Sequence, residues 1–315
     1  MTTLVTGGAG FIGSHVCEAL LKQGEQVVCI DNFNNYYSPK RKQQNVSQFK
    51  KNFTLIKGDI IDYDLENLFS KNKITKVIHL AARAGVRPSI SQPLLYANVN
   101  INGTIRLLEA ARKTNCKNFI SASSSSVYGN QKKVPFSETD NVDSPISQYA
   151  ATKKAGELLS STYNHLYKIP ITCLRFFTVY GPKGRPDMAP MKFTMSIDRG
   201  EKIPVYGDGN QKRDFTYVEN IVAGIISAHK KCLDFEIINL GNNHPEKLKD
   251  LIKYIELNLN KKAKILYQEK QPGDVDRTFA DVKKAKKLLG YKPTTSLKQG
   301  VKKMISWYKR ENPIY

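Results

Sequence analysis

No stretch of the 315 residues is apolar for anything near the roughly 20 residues that a bilayer-spanning helix needs. The chain opens on MTTLVTGG, without a basic segment followed by an apolar one, so no secretory leader is expected. These two absences predict a soluble, cytoplasmic protein with no membrane partner. Cysteine is sparse: Cys17, Cys29, Cys116, Cys173 and Cys232 are odd in number, scattered, and include no CxxC pair. That argues against a disulfide framework and against a zinc site, and no metal is expected. Internal repeats and low-complexity linkers are also missing. Acidic residues are few, 28 against 49 Lys and Arg, which leaves a formal net charge of +21. Such a field attracts polyanions. Yet the basic residues are spread along the chain, the runs KKAK (261–264) and KKAKK (283–287) are short, and no aromatic residues interleave with them to stack bases. Nucleic acid is therefore not an expected partner, whereas an anionic small substrate would suit the field.

What the sequence does contain is alternation. TLVT (3–6), QVVCI (26–30), FTLIK (53–57), KVIHL (76–80), NFIS (118–121) and PITCLRF (170–176) read as strands. Helix-period segments lie between them, including long ones at 93–114 and 146–167. Strand–helix alternation of this kind predicts an α/β fold, a Rossmann-type doubly wound parallel sheet. After Arg175 the pattern changes. Residues 177–217 are rich in Gly, Pro and Asp with one helical piece near 188–199. A helix fits 218–231, a strand EIINL (236–240), helices 246–259, 281–289 and 296–310, and a strand AKILY (263–267). The expected organisation is a nucleotide-binding domain over 1–176, completed by about 216–240, and a smaller, discontinuous α/β substrate domain within 177–315.

TLVTGGAGFIGSH places glycines directly after a strand and before a helix. Gly8, Gly10 and Gly13 fit G-x-G-x-x-G; Gly7, Gly10 and Gly13 fit the wider spacing. Glycines there permit a tight turn and close approach of a pyrophosphate, and the helix N-terminus offers free N–H groups. Asp31 ends the second strand, placed to accept a hydrogen bond from a ribose 2′-hydroxyl and to repel a 2′-phosphate, which favours NAD over NADP. Asp59, in KGDI, suits either an adenine edge or the cap of the following helix. The small residues of HLAARAGVR let a cofactor pass close. Expected cofactor contacts along these segments are Gly7, Gly10, Phe11, Ile12, Gly13, Asp31, Asn32, Asp59, Ile60, Leu80, Ala81 and Ala82, with Asn98 on the helix beyond.

YAATK sets Tyr149 and Lys153 at i, i+4 on one helix face. A lysine ammonium beside a tyrosine favours phenolate, so the phenol can exchange a proton near neutral pH. Upstream lies SSSSVYGN (123–130), hydroxyls without a carboxylate. At this point the chain resembles the extended short-chain dehydrogenase/reductases, which carry TGGAGFIGSH, HLAA, SSSSVYG, YAATK and GPKGRPDMA-like segments in this order over nearly the whole length. Within them it is most similar to nucleotide-sugar epimerases, UDP-glucuronate 4-epimerases above all. The resemblance implies that Ser124 bonds the reacting hydroxyl, Tyr149 is the general base and acid, and Lys153 holds the nicotinamide ribose. Related 4,6-dehydratases carry Asp-Glu where this chain has Ser125 and Ser126, and related decarboxylases keep a Glu there. Hydroxyls cannot replace that acid in an elimination, which leaves oxidation at C4 followed by reduction from the opposite face.

The same resemblance places the substrate. Thr178, followed by GRPDMA, is similar to the glucuronate branch, where glucose/galactose epimerases usually have Asn. Arg185 with Ser125, Ser126 and Thr178 is expected to cradle a carboxylate, since a guanidinium offers two parallel donors. The alternative is an Arg185–Asp187 pair that stabilises its own loop. Arg87 is a further expected substrate contact. Arg213 is a candidate diphosphate partner, or else a surface charge paired with Asp214. Gln271 cannot neutralise phosphate, so Arg277 is the candidate replacement. Related enzymes pair two long helices into a homodimer, which is expected here too. A UDP-glucose/UDP-galactose 4-epimerase and an NAD-dependent nucleotide-sugar dehydrogenase remain alternatives; an epimerase retains its NAD, and a dehydrogenase releases NADH. From Asp31 alone, binding measured by calorimetry is expected to favour NAD clearly over NADP. Equal affinities would overturn this reading of the second strand.

Overall fold

The structure, a computed structural model, describes residues 1–269 and 277–311. In chain order its strands are β1 (Thr2–Thr6), β2 (Gln26–Asp31), β3 (Phe53–Lys57), β4 (Ile74–His79), β5 (Asn118–Ser124), β6 (Ile171–Phe176), β7 (Thr178–Tyr180), β8 (Lys202–Tyr206), β9 (Lys212–Tyr217), β10 (Phe235–Leu240), β11 (Pro245–Lys247) and β12 (Lys264–Gln268). Among the described residues seven strands form one sheet in the order β10-β6-β5-β4-β1-β2-β3, and every neighbouring pair is parallel. The α/β class and the doubly wound sheet are as expected.

Helices cover both faces, so the inner strands need apolar side chains on both sides and read as continuous apolar runs. β6 is buried at every position, whereas the edge strand β3 is mostly exposed. From β1 the chain winds one way through β2 and β3, then the other way through β4, β5 and β6. Reversal at β1/β4 opens a crevice at the carboxyl ends of the strands, which is where such sheets bind ligands. No helix of the described residues is long and apolar enough to cross a membrane.

The structure departs from the sequence reading in three places. The helix predicted over 93–114 is interrupted by one π turn, Asn98–Asn102, between the helical pieces Pro93–Ala97 and Gly103–Lys113. An additional short helix, Val86–Ser91, precedes it. The Gly- and Pro-rich segment 177–217 holds three short strands as well as the helix Ala189–Asp198. β8 pairs with β12, and β9 lies between β7 and β11. Partners for these strands come from distant parts of the chain, so local composition conceals them.

β10 extends the main sheet beside β6, bringing residues 235–240 back across the chain. Asp214, on β9, fastens this crossing. Its buried carboxylate accepts from the backbone N–H groups of Asn242 (2.6 Å), Asn243 (3.2 Å) and Ala280 (3.1 Å) and from the Thr216 hydroxyl (3.0 Å). Buried donors left without partners cost about 1–3 kcal/mol each. Asp214→Ala is therefore expected to lower stability by at least about 3 kcal/mol, read as a lower midpoint in urea unfolding.

Candidate active site

The crevice holds a cavity of about 380 Å³, lined from the ends of β1, β2, β4, β5 and β6. At its floor the glycine turn follows β1. Gly7 adopts φ +65°, and a Cβ there would stand 2.9 Å from the Ala81 backbone. A Cβ on Gly13 would stand 2.2 Å from the Gly7 carbonyl oxygen. Both positions thus require glycine. The helix Phe11–Lys22 starts inside this turn and points its N-terminal N–H groups at the cavity.

Asp31 ends β2 at the cavity wall. Its carboxylate accepts from the N–H of Ala9 (3.2 Å) and of Phe33 (2.9 Å), and the Lys42 ammonium lies 3.8 Å away. Burial pushes its carboxyl upward, against the pull of Lys42 and the two N–H groups. Asp59 accepts from the Asn32 side chain (2.6 Å) and the N–H of Ile61 (3.1 Å), so it shapes the turn after β3 while also lining the cavity. A glycine cradle, a helix N-terminus and an acid at the end of β2 together fit NAD. They would take its pyrophosphate and one ribose.

Tyr149 and Lys153 stand on the helix Gln148–Tyr167, which begins where the Ser147 hydroxyl accepts the N–H of Ala150 (3.1 Å). Ser124 ends β5 opposite them. Burial pushes the Tyr149 phenol upward, while a hydrogen bond with Ser124 and the charge of Arg185 act the other way. The net direction is upward, where the sequence reading expected a lowered phenol. Lys153 lies 6.0 Å from the Tyr149 ring centre and donates to the Ala122 carbonyl (2.8 Å), and desolvation of the phenol is the larger effect. Burial likewise lowers Lys153, to about 8.

Ser125, Ser126 and Thr178 line the same cavity, and the Ser124 hydroxyl accepts from the N–H of Ser126 (3.2 Å). Arg185 reaches the cavity and at the same time pairs with Asp187, Nε to Oδ1 at 3.0 Å and Nη2 to Oδ2, and donates to the Tyr36 hydroxyl (3.1 Å). Its Nη1 makes no hydrogen bond among the described residues. The Asp187 pair is thus present, and Arg185 faces the cavity as well.

The remaining expected residues are arranged otherwise. Phe11, Ile12, Asn32, Ile60, Leu80, Ala81 and Ala82 line the cavity, but Asn98 does not. Asn98 is exposed and accepts from the Asn102 side chain (3.0 Å), because the π turn shifts the helical phase. Asn100 faces inward instead and bonds Arg83 through both backbone groups (2.8 and 2.9 Å) and the Thr152 hydroxyl (3.0 Å). Arg87, Arg213 and Arg277 lie outside the lining. Arg87 stacks on the Tyr206 ring at 4.4 Å. Arg213 donates to the Lys212 carbonyl (3.0 Å) and not to Asp214, because successive strand residues face opposite ways. Arg277 bridges to Lys212 and stacks on Phe279 at 5.3 Å. Gln271 lies outside the described residues. Sequence reading missed Tyr36, Lys42 and Arg83, which also line the cavity. The polar loop and Lys-rich helix after β2 were visible, but nothing in their pattern said that they fold back over the crevice.

Fold and cavity define a dinucleotide-dependent enzyme of the Rossmann class. Comparison with known families matches residues 4–304 to the one described as GDP-mannose 4,6 dehydratase. The chain belongs to this NAD-dependent epimerase/dehydratase family, the extended short-chain dehydrogenase/reductases. It is 46% identical over 310 residues to the UDP-glucuronate 4-epimerase of Thermodesulfobacterium geofontis, covering 97% of this chain and 95% of that one. The crystal structure of UDP-glucuronic acid 4-epimerase from Bacillus cereus, in complex with UDP-glucuronic acid and NAD, superposes with a TM-score of 0.93 at 39% identity, covering 98% and 99% of the two chains. The UDP-glucose 4-epimerase of Thermotoga maritima, solved with UDP-glucose, gives 0.92 at 33% identity over 99% and 100%.

Gly13→Ala tests the cradle. The folded variant is expected to bind NAD at least about tenfold more weakly than the parent by calorimetry, because the turn must open to accept the methyl group.

Proposed function

We propose that this chain is an NAD-dependent UDP-sugar 4-epimerase whose substrate is UDP-glucuronate, giving UDP-galacturonate. The observation that carries the reading is the composition of the cavity beside Tyr149: hydroxyls from Ser124, Ser125, Ser126 and Thr178, a guanidinium from Arg185, and no carboxylate at the serine positions. NAD held by the glycine turn and Asp31 would supply a reversible hydride acceptor for C4. Ser124 orients the 4-hydroxyl. Tyr149 takes its proton at the phenol oxygen and returns it to O4 after the keto sugar has turned to be reduced on its other face. Lys153 supplies positive charge beneath the phenol and, through the same ammonium, a donor for the ribose. Ser125, Ser126 and Thr178 bond the C5 carboxylate, with Arg185 as its counter-charge. With no acid at those serines, elimination of water is disfavoured and the keto sugar is returned to a hydroxyl.

Arg213 and Arg277 serve the diphosphate in this reading and Arg87 the nucleotide end. They lie outside the present lining, so the reading requires them to turn inward. Residues 1–176 with about 216–240 bind the cofactor, and the rest of 177–315 binds the nucleotide sugar. A homodimer forms through exposed apolar side chains on the two long helices: Leu94 is 84% exposed, and Leu158 and Leu166 stand nearby in the chain order of their helix at 57% and 58%. One observation favours UDP-glucose as substrate instead: Arg185 already has a carboxylate partner in Asp187.

Purified protein incubated with UDP-glucuronate and no added NAD is expected to yield UDP-galacturonate without accumulating NADH. A charged hydrogen bond contributes roughly 1.5–3 kcal/mol, so kcat/KM should favour UDP-glucuronate over UDP-glucose by about 10- to 150-fold. Arg185→Ala should lose most of that preference. A wild-type preference for UDP-glucose, or an unchanged ratio in the variant, transfers the assignment to the glucose/galactose reaction.

A further inference from the structure

One turn beyond Lys153, the helix Gln148–Tyr167 carries Glu157, a carboxylate with almost no access to solvent. It accepts from the Ser123 hydroxyl (2.6 Å) and from Arg175 Nε and Nη2 (2.8 Å each). Ser123 sits directly between Ala122, whose carbonyl accepts from Lys153 (2.8 Å), and Ser124. Two consecutive residues of β5 are therefore tied to two successive turns of one helix. These ties fix where Ser124 stands relative to Tyr149 and Lys153. Arg175 holds the carboxylate from β6 and donates onward to the Tyr128 hydroxyl (2.9 Å), which bonds Asn239 on β10 (2.7 Å).

We infer that Glu157 is a positioning residue of the site: through Ser123 it sets the register between the helix bearing Tyr149 and Lys153 and the strand end bearing Ser124, and its charge keeps Lys153 an ammonium. This rests on the catalytic roles proposed above. The groups that face Lys153 are Tyr149 and Glu157 on its own helix, His79 on β4, and Cys173 and Arg175 on β6. Burial lowers His79 to about 3 and raises Cys173 to about 12, so both are neutral at pH 7. Glu157 is then the anion among them. Lys153 and Glu157 also face one small polar cavity of about 10 Å³, so little solvent separates them. Lys153 is lowered by burial to about 8; Cys173 and then Glu157 oppose that shift, and of the two only Glu157 is held in an ion pair. Its carboxylate is paired with the Arg175 guanidinium. Without it, the ammonium would be lost at lower pH.

Two variants test the two parts. Ser123→Ala leaves the Glu157–Arg175 pair intact and removes only the tie to β5. It is expected to fold with a near-normal melting temperature, keep KM within about twofold, and lose kcat on the order of tenfold, because small misplacement of reacting groups is costly. Glu157→Gln is read by ¹³Cε NMR titration of Lys153 in the protein without substrate, where the midpoint is expected to move below that of the wild type. The alkaline limb of kcat should move with it. Wild-type kcat in Ser123→Ala overturns the register, and an unmoved Lys153 midpoint in folded Glu157→Gln overturns the charge role. Should Glu157→Gln fail to fold, Ser123→Ala decides the register, and the same titration in Glu157→Asp, whose carboxylate is withdrawn by one methylene, decides the charge role: an unmoved midpoint overturns it. If the wild-type protein turns over no UDP-sugar, the proposed function falls, while the Lys153 titration still decides whether Glu157 governs that ammonium.

Discussion

Glu157 and Arg175 are an ion pair whose side chains are each only 1% exposed, and they sit directly behind the residues that face the cavity. Two charges withdrawn from water are costly unless every donor and lone pair finds a partner. Here the carboxylate takes three hydrogen bonds, and the guanidinium reaches both that carboxylate and Tyr128. A pair of this kind contributes little net stability over well-packed apolar side chains, but breaking one half leaves an uncompensated buried charge. What it contributes is a single arrangement. β5, β6, β10 and the helix Gln148–Tyr167 can meet in one register, because a slip would orphan the pair. The positions of Ser124, Tyr149 and Lys153 follow from that register.

The cavity is governed by desolvation. Burial pushes the Tyr149 phenol up and the Lys153 ammonium down, each toward its neutral form. Proton exchange at Tyr149 near neutral pH then depends on nearby positive charge and on the Ser124 hydrogen bond, both of which favour the phenolate. The chain's large excess of basic residues is a separate matter. Most of those side chains are spread over the surface, where solvent screens them. Of the cations that line the cavity, Lys42, Lys153 and Arg185 each sit next to a specific acceptor or carboxylate.

Arg185 pairs within its own loop and still faces the cavity. Asp187 and Tyr36 hold its Nε and Nη2, which fixes the guanidinium plane and turns the remaining nitrogen toward neither. Asp187 also tempers the charge that a sugar carboxylate would meet. Solved relatives with different sugars superpose almost equally well on this chain, 0.93 and 0.92, so backbone geometry does not separate their substrates. Discrimination between a carboxylate and a hydroxymethyl group must then come from side chains, and under the proposed function from those around Thr178 and Arg185.

By itself the sequence determined everything that depends on local pattern. The parallel sheet was legible because buried strands need continuous apolar runs and the crossovers need helices. The glycine turn was legible because a tight approach tolerates no Cβ, as at Gly13. Tyr149 and Lys153 were legible because a helix repeats its face every four residues. Tertiary structure decided what depends on distant partners. The strands within 177–217 exist because β11 and β12 come to pair with β9 and β8. The π turn at Asn98–Asn102 exchanged Asn98 for Asn100 at the inner face, a change of phase that spacing cannot show. Asp214 turned inward to backbone donors from three separate segments, and so Arg213 was left to another partner. The serines of SSSS looked equivalent in a row. Only the packing of the helix against β5 gave Ser123 to Glu157, one turn beyond Lys153, and Ser124 to Tyr149, one turn before it.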